Sequence, residues 1–91
     1  MARLSDDQVA EQMKSVPGWA FKQNQIERAY RFSDFKGSMA FVNRVAALAE
    51  ELDHHPDILI LYDRVTLSLT SHDSGGLTER DFRLAGRIDA Q

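Results

Sequence analysis

The spacing of apolar positions along the chain alternates between a helical and a strand period, and each switch marks an element. Val9, Met13 and Val16 recur at helical spacing behind Ser5-Asp6-Asp7-Gln8. Those four residues read as a capping box: Ser5 caps, Gln8 reaches back, and two acids sit at the positive helix end. Pro17-Gly18 stops the run. Trp19-Ala20-Phe21 opens a strand, and Asn24 between two glutamines marks a turn. Ile26, Arg28, Tyr30 and Phe32 then alternate with Glu27, Ala29 and Arg31, which predicts a second strand antiparallel to the first.

Ser33-Asp34 caps a helix that begins near Phe35. Phe35, Met39, Val42, Val45, Ala46, Ala49 and Leu52 form its apolar stripe, at spacings of helical type. Phe41 and Leu48 fall off that stripe, and the extra apolar face points to a subunit contact. Next, Ile58-Leu59-Ile60-Leu61-Tyr62 is apolar on both faces, whereas Val65 to His72 alternates cleanly. The two runs predict a hairpin turning at Asp63. A two-residue loop, Asp63-Arg64, sets Ile58, Ile60 and Tyr62 against Leu69, Leu67 and Val65, and His55 against His72. A three-residue loop, Tyr62-Asp63-Arg64, sets His54 against His72 and brings Leu59 and Leu61 into the core. The pattern alone leaves both registers open. Ser74-Gly75-Gly76 ends the strand, and Thr78-Glu79-Arg80-Asp81 is a second capping-box-like start. Phe82, Leu84, Ala85 and Ile88 supply the apolar face of the last helix. The predicted fold is α+β, in the order αββαββα: a four-stranded antiparallel sheet with helices packed on one face.

Composition narrows the class of function. The 91 residues make one domain, residues 1–91, whose modest core would gain from apolar surface shared in an oligomer. The absence of cysteine excludes disulfides, a thiolate nucleophile and sulfur-bound metal, and fits an intracellular protein. A net charge of −3 gives no nucleic-acid footprint. The first residues lack a signal peptide's apolar core, and no run approaches membrane-spanning length. The expectation is a soluble cytoplasmic protein acting on something small or on another protein.

Candidate chemistry gathers in Glu50-Glu51-Leu52-Asp53-His54-His55-Pro56, between the long helix and the third strand. Histidine is the side chain that titrates unaided near neutrality. In either register the third histidine, His72, arrives beside the pair, since opposed Cβ atoms in a ladder lie about 4.5–5.5 Å apart. Glu50 precedes His54 by one helical turn, which puts both on one face if the helix continues. Asp53 and Asp81 lie near, and a carboxylate beside an imidazole fixes its tautomer. These are ingredients for general acid–base work near neutral pH. Each residue also has a plainer reading: His72 as a surface strand end, Asp53 as a solvated helix terminus, Asp81 as a capping-box member, Pro56 as a helix stop. Three histidines and a water form a known zinc arrangement, but adjacent His54 and His55 are awkward ligands to one ion, so no metal is expected.

The set Glu50-x-x-x-His54-His55-Pro56, Tyr62, His72 and Gly76-Leu77-x-Glu79-Arg80-Asp81 closely resembles the pterin-4a-carbinolamine dehydratases. The similarity extends through Gly18-Trp19 and Phe32-x-Asp34-Phe35. The resemblance implies an enzyme, a hydro-lyase, that removes water from 4a-hydroxytetrahydropterin to give quinonoid dihydropterin. That step recycles the tetrahydropterin of an aromatic amino acid hydroxylase, with no metal or organic cofactor. It implies catalysis by His54, His55 and His72 with Glu50 as the matching carboxylate. Substrate contacts map to Asp53-His54-His55 and Thr70-Ser71-His72-Asp73, and Pro56 and Asp81 have supporting places. Family members form dimers or tetramers, so a homodimer or homotetramer is implied. Asp73-Ser74-Gly75-Gly76 departs mildly from the family pattern. Two other classes stay distinct: a binding module that keeps the fold, and a zinc hydrolase built on the three histidines.

Overall fold

The computed structural model describes residues 2–91. Among them the chain runs α1 (Asp6–Met13), β1 (Ala20–Lys22), β2 (Gln25–Arg31), α2 (Phe35–Leu52), β3 (Asp57–Leu61), β4 (Arg64–Leu69), a 3-10 turn (His72–Ser74) and α3 (Glu79–Asp89). The strands form one antiparallel sheet in the order β1-β2-β4-β3. Alternation on β4 buries Val65, Leu67 and Leu69 on one face and leaves Thr66 and Ser68 on the other. The helices cover the first face. Val9 and Val16 from the N-terminal region join Phe41 and Val45 from α2 and Phe82, Leu84, Ala85 and Ile88 from α3 in one buried cluster. The expected αββαββα order and one-sided packing are therefore the architecture found. No helix among the described residues is long and apolar enough to cross a membrane.

Both capping boxes form. Ser5 Oγ accepts from Gln8 N at 3.2 Å while Gln8 Oε1 accepts from Ser5 N at 2.8 Å. Thr78 and Asp81 make the reciprocal pair at the start of α3. Asp34 caps α2 by accepting from Gly37 N at 2.8 Å.

The stripe expected on α2 is turned around the helix. Ser38, Phe41, Val45 and Ala49 are the buried positions, with Val42, Leu48 and Leu52 half-buried, whereas Phe35 and Ala46 are exposed. The cause lies across the core. Phe41 packs between Tyr30 and Phe32, with ring centroids 4.6 and 5.1 Å away, and these aromatic contacts draw its face onto the sheet.

The hairpin adopts neither expected register. Its pairs run from Leu61↔Arg64 to Asp57↔Ser68, so the loop is Tyr62-Asp63 and Arg64 is already in the strand. Tyr62 takes the left-handed conformation (φ 52°) that the first residue of a two-residue hairpin loop requires. Gln23 does the same (φ 54°) in the β1–β2 turn. The Tyr62 turn is held by Ser38 Oγ, which donates to Tyr62 O at 2.6 Å, and by Phe32 N, which donates to Asp63 O at 2.7 Å. Ile58 and Ile60 thus share the core face with Leu67 and Val65, and Leu59 and Leu61 turn to the open face of the sheet. β4 also ends at Leu69, short of the expected His72, because Ser71 pairs with Gly76 and closes a loop.

The far end of α3 is fastened to the sheet by Asp89. Its carboxylate accepts from Trp19 Nε1 at 3.0 Å, Tyr30 OH at 3.0 Å and Arg28 Nη1 at 3.1 Å. Burial, with the Asp89 charge second, pushes the Tyr30 phenol well above its ordinary value. Because the raised acid is neutral in the fold, its contribution is complete below about pH 10, the unfolded tyrosine value, and is lost as pH rises beyond it.

Two outcomes follow from this packing. Leu67→Ala is expected to destabilise the fold by about 2–5 kcal/mol. Leu59→Ala should cost clearly less. Denaturant unfolding read by Trp19, the single tryptophan and 4% exposed, measures both, and comparable losses at Leu59 and Leu67 would restore the three-residue register. In alkaline solution above about pH 10, Tyr30→Phe should remove part of the wild-type loss of stability, measured as unfolding midpoint against pH.

Candidate active site

The corner between α2 and β3 separates the two adjacent histidines. Asp53 ends α2 in the left-handed conformation (φ 51°), which Asp tolerates better than most side chains. Asp53 N donates to Glu50 O at 3.3 Å and His54 N to Ala49 O at 3.0 Å, so the chain folds back over the last helical turn. Three residues without regular structure then lead to β3 at Asp57. His54 is buried, 8% exposed, whereas its neighbour His55 is exposed. Pro56, half-buried, joins them to β3.

This corner also corrects the expected partner of Glu50. A continued helix would have matched Glu50 with His54, but the left-handed Asp53 breaks that turn. Glu50 Oε2 instead meets His55 Nε2 at 2.5 Å, both side chains more than half exposed. A contact of that kind orients the ring and contributes little to stability.

His54 has a different anchor. Its Nε2 lies 2.5 Å from Asp81 Oδ1, and Asp81 is fully buried. The other oxygen, Oδ2, accepts from Ser71 Oγ at 2.9 Å and from Thr78 N at 2.9 Å. Ser71 Oγ also lies 2.9 Å from Thr78 Oγ1. With Asp81 ionised, it can only accept, so Nε2 of His54 carries a proton, and in the neutral ring the lone pair is then on Nδ1. Asp81 therefore both caps α3 and holds an imidazole. Among the described residues, no buried side-chain nitrogen or oxygen is left without a partner.

The third histidine sits on a pinched loop. Ser71 and Gly76 exchange both backbone bonds, at 3.2 and 3.3 Å, and Gly75 closes the intervening turn in the left-handed conformation (φ 78°). His72 and Asp73 are exposed on this loop. Arg80 Nη2 donates to Asp73 Oδ1 at 2.7 Å, and this hydrogen bond holds the Asp73 carboxyl below its usual range. Thr70, before the loop, donates its hydroxyl to Asn24 O at 2.6 Å and so ties β4 to the β1–β2 turn.

Of the residues singled out from the sequence, His54, Ser71 and Asp81 meet in one buried cluster, and Glu50 meets His55 outside it. His72 follows Ser71 directly in the chain. Neither His54 nor His55 faces His72 in a ladder, because β3 starts at Asp57 and β4 stops at Leu69. Carried past its last pair, the observed register sets His54 level with Ser71, which is how both reach one carboxylate. Among the described residues, no group of three potential ligands is gathered for a metal ion. Thr78 and Arg80 went unread as parts of this site. Thr78 had a signal, since its capping box contains Asp81. Arg80 had one too, as part of the Gly76-Leu77-x-Glu79-Arg80-Asp81 motif, although its partner Asp73 lies across a loop.

The chain matches the family described as pterin 4 alpha carbinolamine dehydratase over residues 2–91. A protein of Chloroflexus aurantiacus, provisionally named a pterin-4-alpha-carbinolamine dehydratase, is 53% identical over 89 residues, covering 98% of this chain and 96% of its own. A counterpart with the same provisional name in Koribacter versatilis is 54% identical over 86 residues, covering 94% and 92%. Among solved structures, a transcriptional coactivator/pterin dehydratase from Brucella melitensis superposes with a TM-score of 0.91 at 33% identity, covering 97% of this chain and 96% of its own. A pterin dehydratase-like protein described as a RuBisCO assembly factor in the alpha-carboxysome gives a TM-score of 0.64 at 27% identity, covering 79% and 83%.

Asp81→Ala is expected to destabilise the fold by about 2–4 kcal/mol, since it strands the buried donors on His54, Ser71 and Thr78. Glu50→Ala should stay within about 0.5 kcal/mol. Thermal or denaturant unfolding compares the two.

Proposed function

This chain belongs to the pterin 4 alpha carbinolamine dehydratase family, and we propose that it removes water from 4a-hydroxytetrahydropterin to give quinonoid dihydropterin. The observation that carries this reading is the division of labour among the imidazoles. His55 and His72 are exposed, one oriented by Glu50 and the other presented on a closed loop, while His54 is held from behind by Asp81.

The chemistry needs two proton transfers. A base takes the proton from N5, the nitrogen electrons form the double bond to C4a, and the C4a–O bond breaks as an acid protonates the hydroxyl to leave as water. One imidazole and one imidazolium supply base and acid near neutral pH, and exchange with solvent resets them. His55 and His72 are the donor–acceptor pair in this reading. His54, its Nε2–H fixed on Asp81, positions the pterin through Nδ1 and can share the transfer. Asp53 and Asp73, both exposed, are the side chains available for polar contacts at the rim. The product would return to the tetrahydropterin pool that serves an aromatic amino acid hydroxylase.

The working form in this reading is a homodimer or homotetramer. Leu59 and Leu61 are exposed along the edge strand β3 and Tyr62 in the turn after it, with Phe35 exposed at the start of α2, and this apolar surface supports a subunit contact. The same surface favours a second reading, a protein-binding module; catalytic inertness of the purified chain would favour it.

His55→Ala and His72→Ala are each expected to slow dehydration by roughly 10²–10⁴-fold, followed by stopped-flow absorbance of quinonoid product. The wild-type rate against pH should be bell-shaped around neutrality. Wild-type rates in both variants would remove the assignment.

A further inference from the structure

The segment Thr70-Ser71-His72-Asp73 stands in the sequence as one stretch of substrate contacts, but its side chains do not behave alike. His72 and Asp73 are exposed, whereas Ser71 is 1% exposed and lies under the loop. A hydroxyl in that place has no open side toward a pterin. Its polar neighbours are all internal: Asp81 Oδ2 at 2.9 Å and Thr78 Oγ1 at 2.9 Å.

Proton counting fixes the direction of this chain. Ser71 has one hydroxyl proton, and an ionised Asp81 has none to give, so Ser71 donates to Asp81 Oδ2. Thr78 Oγ1–H then donates to Ser71 Oγ, and Thr78 Oγ1 accepts from Arg80 N at 3.3 Å. The far oxygen of the same carboxylate holds His54. One rigid group thus receives the α2–β3 corner on one side and the start of the His72 loop on the other. The backbone makes the connection stiff, because Ser71 is also the residue whose two bonds to Gly76 close that loop.

We propose that Ser71 is a positioning residue and not a pterin contact: its hydroxyl fastens the His72 loop to the Asp81 carboxylate that holds His54, so one buried anchor sets both imidazoles. The inference rests on the dehydratase reading for its kinetic consequence, though not for its structural one. It assigns Ser71 a role through Asp81, His54 and His72, with no contact to the reacting atoms.

The test is Ser71→Ala in the full chain, with Ser71→Cys as a near-isosteric variant whose thiol is a weak donor. Trp19 fluorescence establishes that each variant is folded. Ser71→Ala should lower kcat roughly 10- to 100-fold, the loss of one charge-assisted hydrogen bond, and leave KM within about threefold. Ser71→Cys should fall between it and wild type. Nitrogen–proton NMR spectra of the imidazoles should shift for His54 and His72 together and stay unchanged for His55. A raised KM with kcat preserved would make Ser71 a substrate contact and overturn the proposal. Ring signals of His72 that ignore both substitutions would overturn it as well. If the wild-type chain dehydrates no pterin, the dehydratase reading fails alone, and the ring spectra still decide whether the anchor couples the two histidines.

Discussion

A carboxylate with no access to water must find its donors inside the protein, and this requirement at Asp81 organises the functional end of the molecule. An uncompensated charge there would cost several kcal/mol. Three segments meet the need: the distant α2–β3 corner through His54, the exit of β4 through Ser71, and the start of α3 itself through the Thr78 amide. Each segment also has a local reason to stop where it does. Asp53 in the left-handed conformation ends α2, the Ser71–Gly76 bridge ends β4, and the Thr78–Asp81 capping box begins α3. Local chain geometry and the buried charge agree on one arrangement, which is the kind of consistency that specifies a single fold.

Asp89 serves the opposite end of α3 in a similar way. By accepting from Trp19, Arg28 and Tyr30 it pins the helix to β2, two and more turns from Asp81. A helix held at both ends presents Asp81 at a fixed height above the sheet. The α2–β3 corner supplies the other coordinate, since after the left-handed turn at Asp53 the adjacent His54 is buried and His55 exposed.

Much of this was legible in the residues. The capping boxes, the strand alternation of β2 and β4, the order of elements and the importance of the Glu50–Pro56 stretch all follow from period and turn chemistry. What escaped was decided by contacts between segments. The α2 stripe turned because Phe41 found Tyr30 and Phe32 across the core, which no helical wheel encodes. The hairpin register moved because Tyr62, an unusual residue for a left-handed position, took the turn, and β3 is too evenly apolar to resist. The pairing of Glu50 with His55 hung on one backbone angle at Asp53. Ser71 looked like its neighbours in the motif, and only burial distinguishes it from His72.

The claim that most needs testing is that His54, His55 and His72 form one pterin site even though no ladder pairs them. A crystal structure with a non-reactive pterin bound addresses it directly. The N5–C4a edge of the ring is expected within about 3.2 Å of a nitrogen of His55 and of His72 at once, with His54 still on Asp81. A pterin bound to one of those histidines alone, or elsewhere on the molecule, would contradict it.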